Sequence, residues 1–307
     1  RSLRACFRFG CGCGRVARLL LGSSLELARH FALAQRRPCL IAETATSLYT
    51  CRLRGPAKVF IGAIKQAVPL ATIPHAACQE ALARLSPYFG NRYVDGTDTL
   101  SVGLGNCNAI YHVPPAVLNI KTVEDSAKLP QHTLVTPRIA EVINALDEER
   151  LSLAEALGVK THSFWEFLAT AYGVTEGSHV ERIVQGYGRQ AFPEPDSLTH
   201  RYFTEDIPFG LVTWNSLAKQ IGLPLPLTDA FIRISGIRWR NLRRDGKMPG
   251  TQHPLKPAMR NMIGQHWQRI ARVGAKILKL GVYVSHRARA SASWIAPWCD
   301  CPPRTGR

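Results

Sequence analysis

The sequence lacks any apolar stretch long enough to cross a membrane. A membrane-spanning helix needs roughly 18 or more apolar residues in a row, and the most apolar region, Val59–Ile73, is interrupted by Lys65 and Pro69. The apolar run Leu19–Leu21 is too short for the core of a signal peptide. We therefore expect a soluble, cytoplasmic protein without a membrane partner.

The cysteine spacing of a structural zinc site is also lacking. The nine cysteines include two C-x-C pairs, at Cys11 and Cys13 and at Cys299 and Cys301, but no C-x-x-C pair with matching His or Cys spacing. This argues against a bound metal. The cysteines between these two pairs are expected to be reduced, partly buried thiols: Cys39, Cys51, Cys78 and Cys107.

Acidic residues are scarce, with 22 Asp and Glu against 39 Lys and Arg. The excess positive charge lies in the ends, because residues 1–40 hold eight bases and one acid, and residues 232–307 hold sixteen bases and two acids. The middle of the chain holds 15 bases and 19 acids. A groove that follows phosphates would be expected in the folded body. We therefore predict no nucleic-acid partner, and a protein that binds nucleic acid or membrane surfaces through its basic ends is the alternative.

A glycine-rich dinucleotide-binding turn is not recognisable. Gly10, Gly12 and Gly14 have the spacing G-x-G-x-G rather than G-x-G-x-x-G, and no strand of Val or Ile precedes them. Residues 1–24 are left as an unassigned basic segment. The apolar positions of Leu25–Ala32 suit a short helix.

Residues 25–94 have the pattern of the last part of an α/β domain. The run Cys39–Ala42 suits a buried parallel strand, and ligands of open α/β sheets bind where such strands end, which makes Glu43 a candidate site residue. The runs Lys58–Ile64 and Ala67–Ile73 are separated by two residues, which is typical of a β-hairpin.

Helical patterns dominate residues 95–235. Thr136 is a suitable N-cap for a helix over 137–157, in which apolar residues recur at helical spacing. Gly158 is a suitable stop. The pair Ser163 and Glu166 forms the sequence signature of a capping box before the next helix.

The composition changes again after about Ile232, where the chain becomes basic and rich in turn formers. We treat 236–307 as an unassigned basic tail, in which 259–281 has the apolar spacing of one amphipathic helix.

Two polar clusters stand out in the helical region. In the first, Asn108 and His112 are four residues apart, so that they share a helix face that Asn106 can cap. An imidazole is the natural proton shuttle near neutral pH, although a structural role is the alternative for His112 alone.

In the second cluster, Arg201 offers a bidentate fork for a carboxylate, and Asp206 can orient a histidine and raise its pKa. From composition alone, a structural ion-pair network at a turn explains this cluster equally well.

Several segments, in order over roughly residues 25–231, resemble octopine/nopaline-type opine dehydrogenases. The segments that carry the resemblance are Ala42–Arg52 with Gly55, Pro56 and Lys65; Gly105–Pro114; Ala145–Arg150 with Ala156–Val159; and His200–Pro208.

The resemblance implies an α/β, partial Rossmann-type domain over 25–94. A mainly α-helical catalytic domain over 95–235, similar to the C-terminal domain of phosphogluconate dehydrogenase, would follow it. It also implies an oxidoreductase that uses NAD or NADP to condense an amino acid reductively with an α-keto acid such as pyruvate.

The same resemblance implies roles for five residues. His112 would be the acid/base histidine, Asp206 the carboxylate that pairs with it, and Arg201 the group that holds the keto-acid carboxylate. Asn108 and Glu43 would line the same cleft as substrate-binding residues.

The first half of the family's nucleotide-binding domain is not visible, which puts the activity of this chain in doubt. The alternative is a catalytically impaired fragment, or a non-catalytic relative that serves as a binding or dimerisation module. A homodimer is possible under either reading, and the sequence does not distinguish NAD from NADP.

Overall fold

The computed structural model of the chain describes residues 15–18, 21, 24, 40–189 and 192–244. The strands are β1 (Arg15–Arg18), β2 (Ile41–Thr44), β3 (Tyr49–Gly55), β4 (Lys58–Ile64), β5 (Val68–Ile73) and β6 (Tyr93–Asp95). The α-helices are α1 (Cys78–Phe89), α2 (Thr99–Leu104), α3 (Asn108–Leu118), α4 (Ile120–Glu124), α5 (Pro137–Ala156), α6 (Phe164–Tyr172), α7 (His179–Tyr187), α8 (Val212–Gln220) and α9 (Pro226–Arg244). A π-helix spans Tyr202–Leu211, and 3-10 turns span His75–Ala77, Gly90–Arg92 and Gln131–Leu134.

The first strands form a four-stranded sheet in the order β1-β2-β5-β6. β2 is parallel to β1 and antiparallel to β5, and β5 is parallel to β6. Every residue of β2 is buried, and the strand shares Ile41 and Ala42 with the predicted run Cys39–Ala42 but continues to Thr44. Leu70 of β5 packs with Ala42 of β2 against the apolar face of α1. β1 lies in the segment that composition left unassigned.

The predicted hairpin between Lys58–Ile64 and Ala67–Ile73 is wrong. β4 pairs instead with β3, and β5 joins the main sheet beside β2. The three residues between β4 and β5 do not form a hairpin turn, because the Lys65 amide donates to the Leu48 carbonyl and the Gln66 amide donates to the Ala171 carbonyl. Both runs are apolar, but β4 is mostly exposed and β5 mostly buried, a difference that sequence spacing does not reveal.

The helices share one core, and their ends follow the predicted signals. The Thr136 hydroxyl accepts from the Ile139 amide at the start of α5, which ends at Ala156, one residue before the predicted end. Gly158 has φ +71°, the left-handed conformation that glycine tolerates at a helix end. Ser163 and its partner three residues on form the predicted capping box at α6.

The last helix described extends into the basic C-terminal region. α9 continues through residue 235 to Arg244, so the turn-forming residues after Ile232 do not end the helix. The predictions for residues 1–14, 25–32 and 259–281 lie outside the described residues. None of the helices described is long and apolar enough to span a membrane. Cys51, Cys78 and Cys107 are free thiols.

Candidate active site

His112 lies in the middle of α3, a buried helix with two consecutive prolines. Pro115 has no amide proton, so the Tyr111 carbonyl cannot make its usual bond within the helix. The side-chain amide of Gln131 replaces that bond, because its Nε2 donates to the carbonyls of Tyr111 (2.8 Å) and His112 (3.1 Å). This contact fixes the turn of α3 that carries His112.

Asp206 lies in the π-helix Tyr202–Leu211, which packs against α3. π-Helical turns are rare and frequently occur at functional sites. Gly210 allows this close packing, since a Cβ at that position would lie 2.9 Å from the Cβ of Ala109. Asp206 thereby reaches His112, and the distance from Nδ1 of His112 to Oδ2 of Asp206 is 2.7 Å. The structure brings together two residues 94 positions apart.

The imidazole of His112 is buried, and the ring of Tyr202 stacks on it with 3.9 Å between ring centroids. Burial disfavours the imidazolium and lowers the pKa of His112 to about 4, although Asp206 favours the charged form. Burial thus outweighs the increase in pKa expected from the carboxylate. At pH 7 the imidazole is neutral, with Nδ1–H donating to Asp206, and Nε2 makes no hydrogen bond to a described residue.

A cavity of about 170 Å³ lies beside His112. Its wall includes Thr46 and Ser47, which follow the carboxyl end of β2, together with residues of β3, α3, α6 and α7. A cavity at the end of a buried strand lies where open α/β sheets bind their ligands.

Arg201 and Asn108, two of the predicted site residues, line the same cavity. The guanidinium carbon of Arg201 lies 5.1 Å from the centre of the Tyr202 ring. Within the described ranges, Arg201 forms no ion pair. It can therefore receive a carboxylate from a ligand.

Glu43 does not line this cavity, so the prediction that it lines the cleft with His112 is not supported by the geometry. It is buried in β2, and one of its carboxylate oxygens accepts from the amide and hydroxyl of Ser24. Its Oε1 has no hydrogen-bond partner among the described residues. Burial raises the pKa of Glu43 to about 7, against the hydrogen bonds from Ser24.

An ion pair beside the cavity was missed by the sequence analysis. Arg52 of β3 forms a bidentate contact with Glu194, which also accepts from the hydroxyl of Tyr202 at 3.1 Å. Burial raises the pKa of Glu194, but Arg52 more than compensates and lowers it to about 2. No local sequence signal links two residues 142 positions apart.

A second buried pair holds the surrounding helices. Arg150 of α5 donates to Asp147 and to the carbonyls of Leu104 and His162, at 2.6–2.8 Å. Asp147 also accepts from the backbone amide of Phe164, the first residue of α6, at 2.6 Å. These bonds fix the end of α2 and the start of α6 against α5.

Comparison with known proteins shows which family this architecture resembles. Residues 96–237 match the family model described as "NAD/NADP octopine/nopaline dehydrogenase, alpha-helical domain". The helical part of this chain resembles the octopine/nopaline dehydrogenase family. The resemblance inferred from the sequence motifs is thereby confirmed.

Similar curated proteins agree with this assignment. Opine dehydrogenase of Arthrobacter sp. (strain 1C) is 30% identical over 209 residues, which cover 67% of this chain and 58% of that protein. Vitopine synthase of Allorhizobium ampelinum is 26% identical over 223 residues, which cover 71% of this chain and 61% of that protein. The chain therefore spans about three fifths of the length of these relatives.

Solved structures confirm the predicted fold class. Yersinopine dehydrogenase with bound NADP+ superposes with a TM-score of 0.60 at 16% identity, over 83% of this chain and 72% of that one. Octopine dehydrogenase with NADH and L-arginine gives a TM-score of 0.58 at 15% identity, over 74% of this chain and 63% of that one. At these identities the likeness concerns the fold: a Rossmann-type α/β domain followed by a helical domain.

Proposed function

We propose that this protein is an opine dehydrogenase, which condenses an amino acid with an α-keto acid such as pyruvate and reduces the product with NADH or NADPH. The observation that carries the proposal is the buried His112–Asp206 pair at the wall of a cavity that Arg201 also lines. The match of residues 96–237 to this family's helical domain supports it. A non-catalytic binding module would not need this pair to reach the cavity.

His112 is the proposed acid/base residue, and Asp206 is its positioning partner. Because the buried imidazole is neutral at pH 7, its Nε2 accepts a proton from the ammonium group of the amino acid. The resulting imidazolium is stabilised by Asp206 at a distance of 2.7 Å. The freed amine can then attack the keto carbon.

The proton that His112 receives is used in the next step. Attack of the amine forms a carbinolamine, and the imidazolium returns its proton to the hydroxyl group, which leaves as water. Arg201 holds the keto-acid carboxylate and so fixes the reacting carbon near His112. Asn108 lies one helical turn before His112 on the same wall and is proposed as a substrate contact.

The described residues fit the nicotinamide end of a cofactor site. The cavity reaches Thr46 and Ser47, two and three residues after the carboxyl end of β2, where α/β sheets bind nucleotides. When bound, NAD(P)H supplies the hydride that reduces the C=N bond. The structures of two related dehydrogenases contain NADP+ and NADH, respectively. We propose that residues 25–94 hold the nicotinamide end of the cofactor and that residues 95–235 bind the substrates. A homodimer stays a prediction.

The test is pyruvate-dependent oxidation of NADH or NADPH with a panel of amino acids, in the chain supplied with a complete nucleotide-binding domain. His112→Ala is expected to lower kcat/KM at least about a hundredfold, because general acid–base catalysis typically contributes about 10²–10⁴ in rate. His179→Ala is the matched control, since His179 stacks on Trp165 and does not line the cavity.

A His112→Ala enzyme as active as the control would overturn the assigned role. Oxidation with no amino acid in the panel would overturn the proposed function. Titration of this chain with NADH tests the alternative of a catalytically impaired fragment. Failure to bind would show that this length of chain does not hold the cofactor.

A further inference from the structure

Tyr202 contacts the imidazole of His112 with its aromatic ring. It is the first residue of the π-helix that also carries Asp206, and it is buried. The two rings are stacked, with 3.9 Å between their centroids and 18° between their planes. Asp206 binds only Nδ1 at the edge of the imidazole. A single hydrogen bond at one atom allows the imidazole to tilt, and a ring stacked on its face opposes that tilt.

The ring of Tyr202 is itself held by three charged or aromatic side chains. Its hydroxyl donates to Oε2 of Glu194 at 3.1 Å. Arg52 of β3 holds the Glu194 carboxylate through a bidentate contact. The ring of His200 meets that of Tyr202 edge to face at 4.3 Å. These contacts fix the ring that covers the imidazole to both β3 and the segment before the π-helix.

Tyr202 is poorly suited to transfer a proton itself. Burial, together with the negative charge of Glu194, holds the pKa of its phenol well above the ordinary value. The hydroxyl therefore keeps its proton at neutral pH, and it already donates to Glu194. The contribution of Tyr202 to the site is thus the position of its ring.

From these contacts we infer that Tyr202 is a positioning residue, which holds the imidazole of His112 in the orientation at which Nε2 reaches the substrate, and that Glu194 and Arg52 anchor it. The inference rests on the proposed function and adds three residues to the acid/base machinery. Proton transfer needs heavy atoms within about 2.6–3.2 Å of each other. Because a displacement of about 1 Å can lower a rate about a hundredfold, a tilted imidazole would affect kcat more than substrate binding.

The first test removes the stacked ring with Tyr202→Leu. The matched control is Phe231→Leu, since Phe231 is a buried aromatic residue of α9 that does not line the cavity. Both variants are assayed with pyruvate and the accepted amino acid in the chain supplied with a complete nucleotide-binding domain. Tyr202→Leu is expected to lower kcat at least about 30-fold and to change KM for the amino acid less than about threefold. The control is expected to keep its kcat.

A second readout requires no turnover. NMR titration of the His112 imidazole in this chain measures how well the imidazole is shielded from water. Burial lowers its pKa to about 4, against the effect of Asp206, whereas Arg201 and Arg52 lower it further. Tyr202→Leu leaves those three charges in place and admits water, so the pKa of His112 is expected to rise by at least about one pH unit. Phe231→Leu is expected to leave it unchanged.

The anchor is tested by variants that keep a ring at position 202. Tyr202→Phe removes the hydroxyl, and Glu194→Ala removes its acceptor. Each is expected to lower kcat about 3- to 10-fold, and the double variant is expected to match Glu194→Ala within about twofold, because both substitutions break one bond. Glu194→Gln retains an acceptor and is expected to recover most of the activity. These variants test the inference even where Tyr202→Leu does not fold.

The outcomes separate the inference from the proposed function. A Tyr202→Leu enzyme as active as Phe231→Leu, or a His112 titration that Tyr202→Leu leaves unchanged, would overturn the positioning role and leave the proposed function intact. Effects of Tyr202→Phe and Glu194→Ala that multiply would overturn the anchoring by Glu194. Absence of turnover by the unmodified enzyme with every amino acid would overturn the proposed function, whereas the titration would still decide whether Tyr202 shields and holds His112.

Discussion

Two buried side-chain pairs in the helical domain each contain an aspartate, but they differ in how many of their hydrogen-bonding groups are used within the protein. Arg150 and Asp147 are almost completely buried, and both side chains bond to further backbone groups on α2, α6 and the loop before α6. His112 and Asp206 are nearly as buried, but the imidazole uses only Nδ1 among the described residues and lines a cavity.

The comparison separates a structural role from a chemical one. A buried charge whose hydrogen-bonding capacity is used within the protein holds elements together, and it has no capacity left for a ligand. A buried group that keeps one reactive atom toward a cavity is a candidate for catalysis. The two pairs therefore make opposite predictions for stability and activity.

The largest effect on stability is expected at the structural pair. Arg150→Ala leaves Asp147 buried without its cation and is expected to lower the free energy of unfolding by about 3–5 kcal/mol. Urea unfolding followed by circular dichroism measures this change. Arg138→Ala on the same helix is the control, because its pair with Glu141 is exposed and should contribute little to stability.

Equal effects of Arg150→Ala and Arg138→Ala would contradict the structural role. The double variant Asp147→Leu/Arg150→Met is expected to recover much of the lost stability, since removal of both charges leaves no unpaired one. A double variant as unstable as Arg150→Ala would show that packing, rather than charge, explains the effect.

The sequence allowed the pair of His112 and Asp206 to be predicted, but not the pair of Arg150 and Asp147. The segments around His112 and Asp206 were identified because several motifs occurred in the order of a known family, and the predicted contact is present in the structure. The caps at Thr136 and Ser163 were also predicted, because a cap is a local signal within three or four residues.

The features that were missed depend on contacts distant in sequence. Arg52 and Glu194 meet only because β3 is brought beside the helical domain, and nothing in either neighbourhood indicates the partner. The β4–β5 hairpin was predicted wrongly because pairing depends on which face of each strand is buried. Glu43 was placed in the cleft because it ends a buried strand, yet its carboxylate bonds to Ser24.

The two pairs should also differ in their response to pH. Because the pKa of His112 is lowered to about 4, the unfolded chain binds more protons than the folded one between pH 6.5 and 4. Stability is therefore retained above about pH 6.5 and lost as the pH falls toward 4. His112→Gln should make the free energy of unfolding less dependent on pH in this range, by at most about 1.4 kcal/mol per pH unit.

Urea unfolding of the unmodified chain and His112→Gln at several pH values between 4 and 7 measures the difference. Other titrating groups, such as Glu194, are common to both proteins and cancel. Arg138→Met is the control for slope, since a guanidinium stays charged throughout this range and the pair of Arg138 with Glu141 is exposed. Parallel curves for the unmodified chain and His112→Gln would contradict a neutral, buried His112.

The smallest expected effect tests whether the structural pair and the nearby helix cap act together. Ser163→Ala removes the cap of α6 and should lower the free energy of unfolding by about 1 kcal/mol. Asp147 accepts from the next amide, that of Phe164, so Ser163 and the Arg150 pair fix the same helix start.

A double-mutant cycle of Ser163→Ala with Arg150→Ala should therefore be non-additive, with an interaction energy of about 0.5 kcal/mol or more. Ser178→Ala removes the matching capping box of α7, where no bond to the Arg150 pair exists among the described residues, and should be additive with Arg150→Ala. If both cycles are additive, the pair does not fix the start of α6. Its burial would then reflect packing of α5 against α2 alone.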